Sequence, residues 1–285
     1  MKRMLLVLAV LMCAGGAALA QPVPDTLGRI KASKTINVGY SPDSLPFSFA
    51  GPDQKPAGFS IDLCARVIAA IGRAVAAPDL KVNWVPGTVG ERLQMVKSGK
   101  LDLECANTTR TLSRMRDVDF SSLVFIDTGG FLVRAEPPVN RLTDLNGKKI
   151  AVIKGTTTEQ RLLGQLKARL VNAEVIAVTD GNEGIARLEN GSADAFASDK
   201  LKLIGFMAQS KAPDRLSMLQ EDLSFEPYAF ALPRADASFR YEVDRALTQV
   251  YASPEIDSIF DRWLGKFGRP TGLLAAMYLL NTIPE

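Results

Sequence analysis

Two stretches of this chain, 92 residues apart, share one short design. Glu91-Arg-Leu-Gln-Met-Val-Lys-Ser-Gly-Lys-Leu-Asp-Leu and Glu183-Gly-Ile-Ala-Arg-Leu-Glu-Asn-Gly-Ser-Ala-Asp-Ala match in their Glu, apolar, Gly and Asp positions. Each predicts a short helix, a glycine stop and a following strand. The first copy places a helix over 91–97, stopped at Ser98 and Gly99, and a strand over 101–105. A second correspondence joins residues 36–40 to residues 150–154. Both alternate or run apolar like strands, and each leads into a polar loop and then a helix. On the first side Ser60 predicts a helix cap, with Ile61, Cys64, Val67, Ile68 and Ile71 as the buried face and Gly72 as the stop. A strand over 81–85 follows. On the second side, Gly155-Thr-Thr opens a helix running to about residue 170. A chain built this way folds into two lobes of like α/β design.

Several function classes are excluded by what the chain lacks. It contains no histidine, so Ser-His-Asp hydrolysis, Cys-His proteolysis, His-ligated zinc and histidine proton shuttling are unavailable. Lys2 and Arg3, the apolar run 4–12 and Ala18-Leu19-Ala20 predict a cleaved secretory signal over 1–20, with the mature chain beginning at Gln21. The apolar run is too short for a bilayer span, which needs about 20 residues. Cys13 raises the alternative of a lipoprotein, but the bulky Met12 stands where a small residue is usual. The segment 272–280 is the longest later apolar run. Without Lys2 and Arg3 there are 32 basic and 31 acidic residues, a balance that offers nothing to a polyanion and predicts no nucleic-acid partner. Cys64 and Cys105 remain, on a predicted helix and a predicted strand, either bridged or as two buried thiols.

In open α/β sheets, ligands collect at the carboxyl ends of strands. That rule gathers residues 41–44, 107–109, 155–157 and Ser198-Asp199 into one cleft between the lobes. Arg114, beyond Asn107-Thr108-Thr109 and a turn capped by Thr111, suits a carboxylate held by paired charge-assisted bonds; the alternative is a surface arginine. Gly155-Thr156-Thr157 reads either as an anion-binding helix start or as an ordinary cap. Asp199 can face an ammonium or cap the next helix. Together Arg114 and Asp199 supply the two complements of an α-amino acid.

On these residues the chain resembles the periplasmic solute-binding proteins of polar amino-acid ABC importers, most closely a glutamate/aspartate-binding subgroup. The marks are Val38-Gly39 with Pro46-Phe47, Gly58-Phe59-Ser-Ile-Asp62-Leu63, Leu103-Glu104-Cys105-Ala-Asn-Thr-Thr109 with Arg114, Gly155-Thr-Thr157, Ala195-Phe196 to Asp199, and Phe260-Asp-Arg-Trp263-Leu. The resemblance implies a class II periplasmic-binding fold, two α/β lobes each with a mixed sheet, lobe 1 at 21–125 plus 229–285 and lobe 2 at 126–228. It implies a periplasmic, monomeric receptor that closes on a polar L-amino acid, needs no cofactor or metal, and delivers its ligand to ABC permease membrane subunits. Arg114, Thr109 and Thr157 would take the α-carboxylate and Asp199 the ammonium. Ser41, Ser44, Asn107, Lys154, Gly155 and Thr156 would add contacts, and Phe59 an aromatic wall. The resemblance also implies Arg at the place of Ser41 and His at the place of Gly181 for an acidic side chain. Both cations are missing here, which leaves Lys154 and Arg110 as candidate replacements. A rarer enzyme on the same scaffold, a cyclohexadienyl dehydratase, would need a general acid, for which Glu159 or Glu183 is available.

Overall fold

The computed structural model describes residues 25–284, so the signal segment and the mature start at Gln21 lie outside the described residues. Helix α1 (Thr26–Ser33) leads to strand β1 (Thr35–Tyr40), and a small antiparallel sheet of β2 (Asp43–Ser44), β3 (Ser48–Ala50) and β4 (Pro56–Ala57) follows. Helix α2 (Phe59–Ala74) starts earlier than Ser60 predicts. Its cap is Gly58, at φ 128°, where a Cβ would lie 2.3 Å from the carbonyl oxygen of Phe47. Only glycine tolerates that corner. It lets the amides of Phe59 and Ser60 donate to the carbonyls of Pro46 and Phe47, and it carries Ser60 inside the buried first turn.

Next come β5 (Lys81–Pro86), α3 (Val89–Lys97) and β6 (Leu103–Glu104). Thr88 and Glu91 close a reciprocal capping box on α3, which starts that helix two residues before the predicted point. Strand β7 (Asp119–Arg134) is followed by β8 (Lys149–Ile153), α4 (Thr157–Ala168), β9 (Glu174–Val178), α5 (Gly181–Glu189), β10 (Ala195–Asp199) and α6 (Lys200–Gln209). Strands β11 (Leu216–Met218) and β12 (Ser224–Leu232) precede α7 (Ala237–Tyr251), α8 (Glu255–Leu264) and α9 (Gly272–Asn281). The repeat is realised in space: α3 and α5 occupy positions 92 residues apart, and so do the starts of β6 and β10.

One sheet runs through the molecule in the order β5-β1-β6-β12-β7-β10-β8-β9, with β11 pairing with β7. At one end β5, β1 and β6 are parallel and β12 joins antiparallel. At the other end β9, β8 and β10 are parallel and β7 joins antiparallel. Each half is thus the same mixed sheet, and the two are joined by the antiparallel pair β7 and β12. Phe125 and Tyr228, the last residues before the expected lobe crossings, are register partners in that pair, and the ladder shifts register beside Tyr228.

The cores lie on either side of this pair. The first includes α2, α7 and α8, with Phe47, Phe59, Phe125 and Tyr228 packed at ring separations of 4.9 to 6.3 Å. Burying each such ring contributes roughly 1.5–3 kcal/mol. The second surrounds β8 and β10 on both faces. Cys64 of α2 and Cys105 at the end of β6 are disulfide-bonded, which ties the Asn107–Thr109 loop to the first core two residues upstream. No described helix is long and apolar enough to cross a membrane.

Candidate functional site

A cavity of about 420 Å³ opens between the two halves at the carboxyl ends of β1, β6, β8 and β10. Nine of the sequence-predicted residues line it: Ser41, Ser44, Asn107, Thr109, Arg114, Lys154, Thr156, Thr157 and Asp199. Two do not. Phe59 is fully buried in the first core against Phe47 and Phe125, because the early start of α2 turns position 59 inward. Gly155 lies outside the lining, and its amide donates to Glu159 Oε2 at 2.7 Å. Arg110 is exposed and also lies outside the lining.

Arg114 reaches the cavity from the first half. The Thr111 hydroxyl accepts from the Arg114 amide, and Arg114 Nη1 donates to the carbonyl of Thr109 at 2.8 Å. The surface alternative for this arginine is therefore excluded. Burial lowers the guanidinium's pKa from its ordinary value, an effect opposed by the charges of Glu104, Glu226 and Asp199. Asp199 faces it from the second half at the start of α6, and its side chain caps no amide of that helix. Its carboxylate instead accepts from Asn107 Nδ2 at 3.0 Å and from Thr158 Oγ1 at 3.3 Å. The capping reading of Asp199 does not hold. That of Thr156 does, since its hydroxyl accepts from the Glu159 amide.

Behind the cavity, on the joining strands, two carboxyl groups stand close enough to Asp199 to feel its charge. Glu226 is buried and accepts from Thr109, Thr157 and Ser224. Its pKa is raised, first by burial and then by the charge of Asp199. Asp127 accepts from the amides of Thr128 and Leu201 and from the Tyr228 hydroxyl. Burial, assisted by Asp199, pushes it up to about 7. A cationic group beside Asp199 would relieve this crowding of negative charge.

Three charged residues of the lining were not among the predicted site residues, although Asp43 falls within the 41–44 segment assigned to the cleft. Asp43 accepts from Ser41 Oγ and from the Gly181 amide across the cleft, both at 2.9 Å. Arg92 donates to Glu104 at 2.7 Å and to the Gly87 carbonyl. Lys202, in the first turn of α6, is 6% exposed and lines the cavity. Its signal was legible: a lone charge within Leu201-Lys202-Leu203-Ile204 is out of place on a buried helix face.

Residues 36–266 match the model of bacterial extracellular solute-binding proteins, family 3. The L-glutamate/L-aspartate-binding protein of Pseudomonas aeruginosa is 34% identical over 256 residues, covering 90% of this chain and 85% of that one. An ancestral arginine-binding protein solved with arginine superposes with a TM-score of 0.73 at 27% identity, over 81% of this chain and 99% of that one. An ancestral amino acid-binding protein described as a precursor of cyclohexadienyl dehydratase gives 0.72 at 27% identity, over 84% and 99%. Two like α/β halves, a two-strand joint and a cleft at the strand ends are thus shared with amino-acid binders, and the chain belongs to family 3 of the bacterial extracellular solute-binding proteins.

Proposed function

We propose that the protein is the extracytoplasmic receptor of an ABC amino-acid importer, which closes its lobes on one amino acid and presents the closed form to membrane permease subunits. The observation that carries the reading is that Arg114 and Asp199 face one cavity from opposite halves. Arg114 holds the α-carboxylate, aided by Thr109 and Thr157, and Asp199 holds the α-ammonium. The carboxylate then touches both lobes and the ammonium the second, so the ligand binds the closed state better than the open one, as closure requires. The relatives include binders of acidic and basic amino acids, and what those ligands share is this headgroup.

The receptor acts as a monomer, exported to the periplasm and freed of residues 1–20. Its lobes divide at 125/126 and 228/229, inside the paired strands. The role is binding rather than catalysis. Both candidate general acids are spent at helix starts: Glu159 accepts from the Gly155 amide. Glu183 accepts from Thr179 and Arg187, and these bonds, the Thr179 amide first, hold its carboxyl below its ordinary range. Neither lines the cavity.

Titration calorimetry on refolded, ligand-stripped protein tests the reading. Arg114→Ala should bind at least 100-fold more weakly, and Asp199→Asn at least 10-fold, because charge-assisted hydrogen bonds contribute roughly 1.5–3 kcal/mol each. Unchanged affinity in either variant removes that residue from the headgroup site. Turnover of prephenate would move the protein to the dehydratase class.

A further inference from the structure

The headgroup assignment leaves the rest of the cavity to the ligand's side chain, and one cation of the lining, Lys202, makes no hydrogen bond or ion pair among the described residues. Lys202 lies one turn beyond Asp199 on α6, on the face that meets the first lobe. A Cβ on Gly205, three residues further along that face, would stand 3.0 Å from the Leu45 carbonyl oxygen. Closure therefore sets Lys202 against the 41–45 loop, where Ser41, Asp43 and Ser44 line the same cavity. Lys202 is 6% exposed as a residue and belongs to the cleft lining, and among the described residues no hydrogen bond or ion pair reaches its ammonium.

The other cations of the cavity are accounted for. Arg92 is held by Glu104 and the Gly87 carbonyl, Arg114 belongs to the headgroup, and Lys154 is exposed at the rim. Asp43 feels the charge of Lys202, but each of its oxygens already accepts a hydrogen bond. Burial alone would raise the Asp43 carboxyl; the Lys202 charge leads the groups that overcome it and hold it below its ordinary range. A cleft ammonium without a hydrogen-bond partner gains more from an anionic ligand group than from a neutral one, because charge-assisted bonds are the stronger.

We infer that Lys202 is the specificity residue of the cleft and selects an amino acid whose side chain ends in an anionic group. The inference rests on the receptor reading, since the headgroup contacts fix which end of the ligand meets Lys202. Ser41 and Ser44, whose hydroxyls lie 2.8 Å apart, complete a polar end suited to a carboxylate.

The test is calorimetry of the parent chain, Lys202→Met and Lys202→Arg with L-glutamate, L-aspartate, L-glutamine and L-asparagine, each variant first shown to melt cooperatively. The parent should prefer the acids over their amides by at least 10-fold. Lys202→Met should lose roughly 10- to 100-fold for the acids and less than 3-fold for the amides, the loss expected for one charge-assisted bond. Lys202→Arg should keep most of the preference. A parent that binds the amides as tightly as the acids overturns the inference and leaves the receptor reading intact. So does a Lys202→Met chain weakened equally for both classes. A parent that binds none of the four overturns the inference as well, and a wider amino-acid panel then decides the receptor reading.

Discussion

Gly181 opens α5 with the ring of Phe206 against it: a Cβ there would lie 1.9 Å from Cζ. The ring cannot withdraw freely, because Phe206 is buried and packs on Phe196 at 5.8 Å. Gly181→Ala should therefore destabilise by about 1–3 kcal/mol through overpacking, read as a lower urea midpoint, and Phe206→Leu in the same chain should recover most of it. Equal losses with and without the second change would mean the ring is not the obstacle. The same position shows what a sequence discloses about a site. Gly181 marks a missing side chain, but the space is filled by Phe206, a residue of another helix, which spacing along the chain does not reveal. That Thr109, Thr157 and Asp199 line the cavity was legible because each lies at or just past a strand's carboxyl end, where the sheet fixes direction, and Arg114 follows in the turn beyond Thr109. Phe59 was misplaced because the glycine corner at 58 rotates α2, a tertiary effect of the Phe47 backbone. Arg92 and Asp43 escaped because a charged residue near a helix start or in a loop ordinarily faces solvent, whereas Lys202 carried a legible signal that was not used.

At the scale of elements, β7 and β12 carry both the joint between the lobes and two of the titrating groups behind the cleft. The strands that open each lobe were read within a residue or two, since alternation and glycine stops are local. Strand β6 proved shorter than its prediction, with only Leu103 and Glu104 pairing as strand. The roles of β7 and β12 were legible only through the resemblance, because their pairing spans about a hundred residues and leaves no periodic trace. Asp127 of β7, pushed up to about 7 by burial, makes the joint sensitive to pH. A carboxyl whose native pKa lies above its unfolded value holds its proton more tightly in the native chain. Its contribution is therefore full below about pH 4 and is lost as pH rises through about 7. Glu226 and Asp244 are raised in the same direction, each chiefly by burial, and the chain has no histidine to titrate alongside them. Ligand-free protein should lose stability between about pH 5 and pH 7, by up to about 1.4 kcal/mol per pH unit for each proton released. Urea unfolding across that range checks it, and Asp127→Asn should flatten the slope. A slope unchanged by that substitution would place the titration elsewhere. An ammonium at Asp199 should also drive protons off Asp127 and Glu226, so that affinity rises with pH over the same window.

At the scale of the whole molecule, the described conformation is closed. Asp43 accepts from the Gly181 amide, Asn107 donates to Asp199, and the hydroxyls of Thr109 and Thr157 stand 3.3 Å apart, each contact joining one half to the other. Polar contacts such as these, rather than a shared apolar core, close the cleft between the two cores, so the lobes should separate without unfolding. A wedge that acts only in the closed form separates closure from stability. Gly205 supplies the place, since α6 approaches the Leu45 carbonyl there so closely that even a Cβ is tight. The three atoms nearest to that Cβ all belong to Leu45, so with the lobes apart a side chain at 205 should gain helix propensity of up to about 1 kcal/mol over glycine. Gly205→Leu should therefore leave the melting temperature of ligand-free protein unchanged or raised. The same change must force α6 from the 41–45 loop, weakening binding of every ligand by a common factor of about tenfold or more, mainly through faster dissociation. Small-angle scattering should find the liganded variant closer to the dimensions of the ligand-free parent. A variant that binds as tightly as the parent and compacts as fully would show that closure does not need this contact. A variant that loses affinity for acidic ligands alone would show that the wedge acts through Lys202, one turn away, rather than through the approach of the lobes.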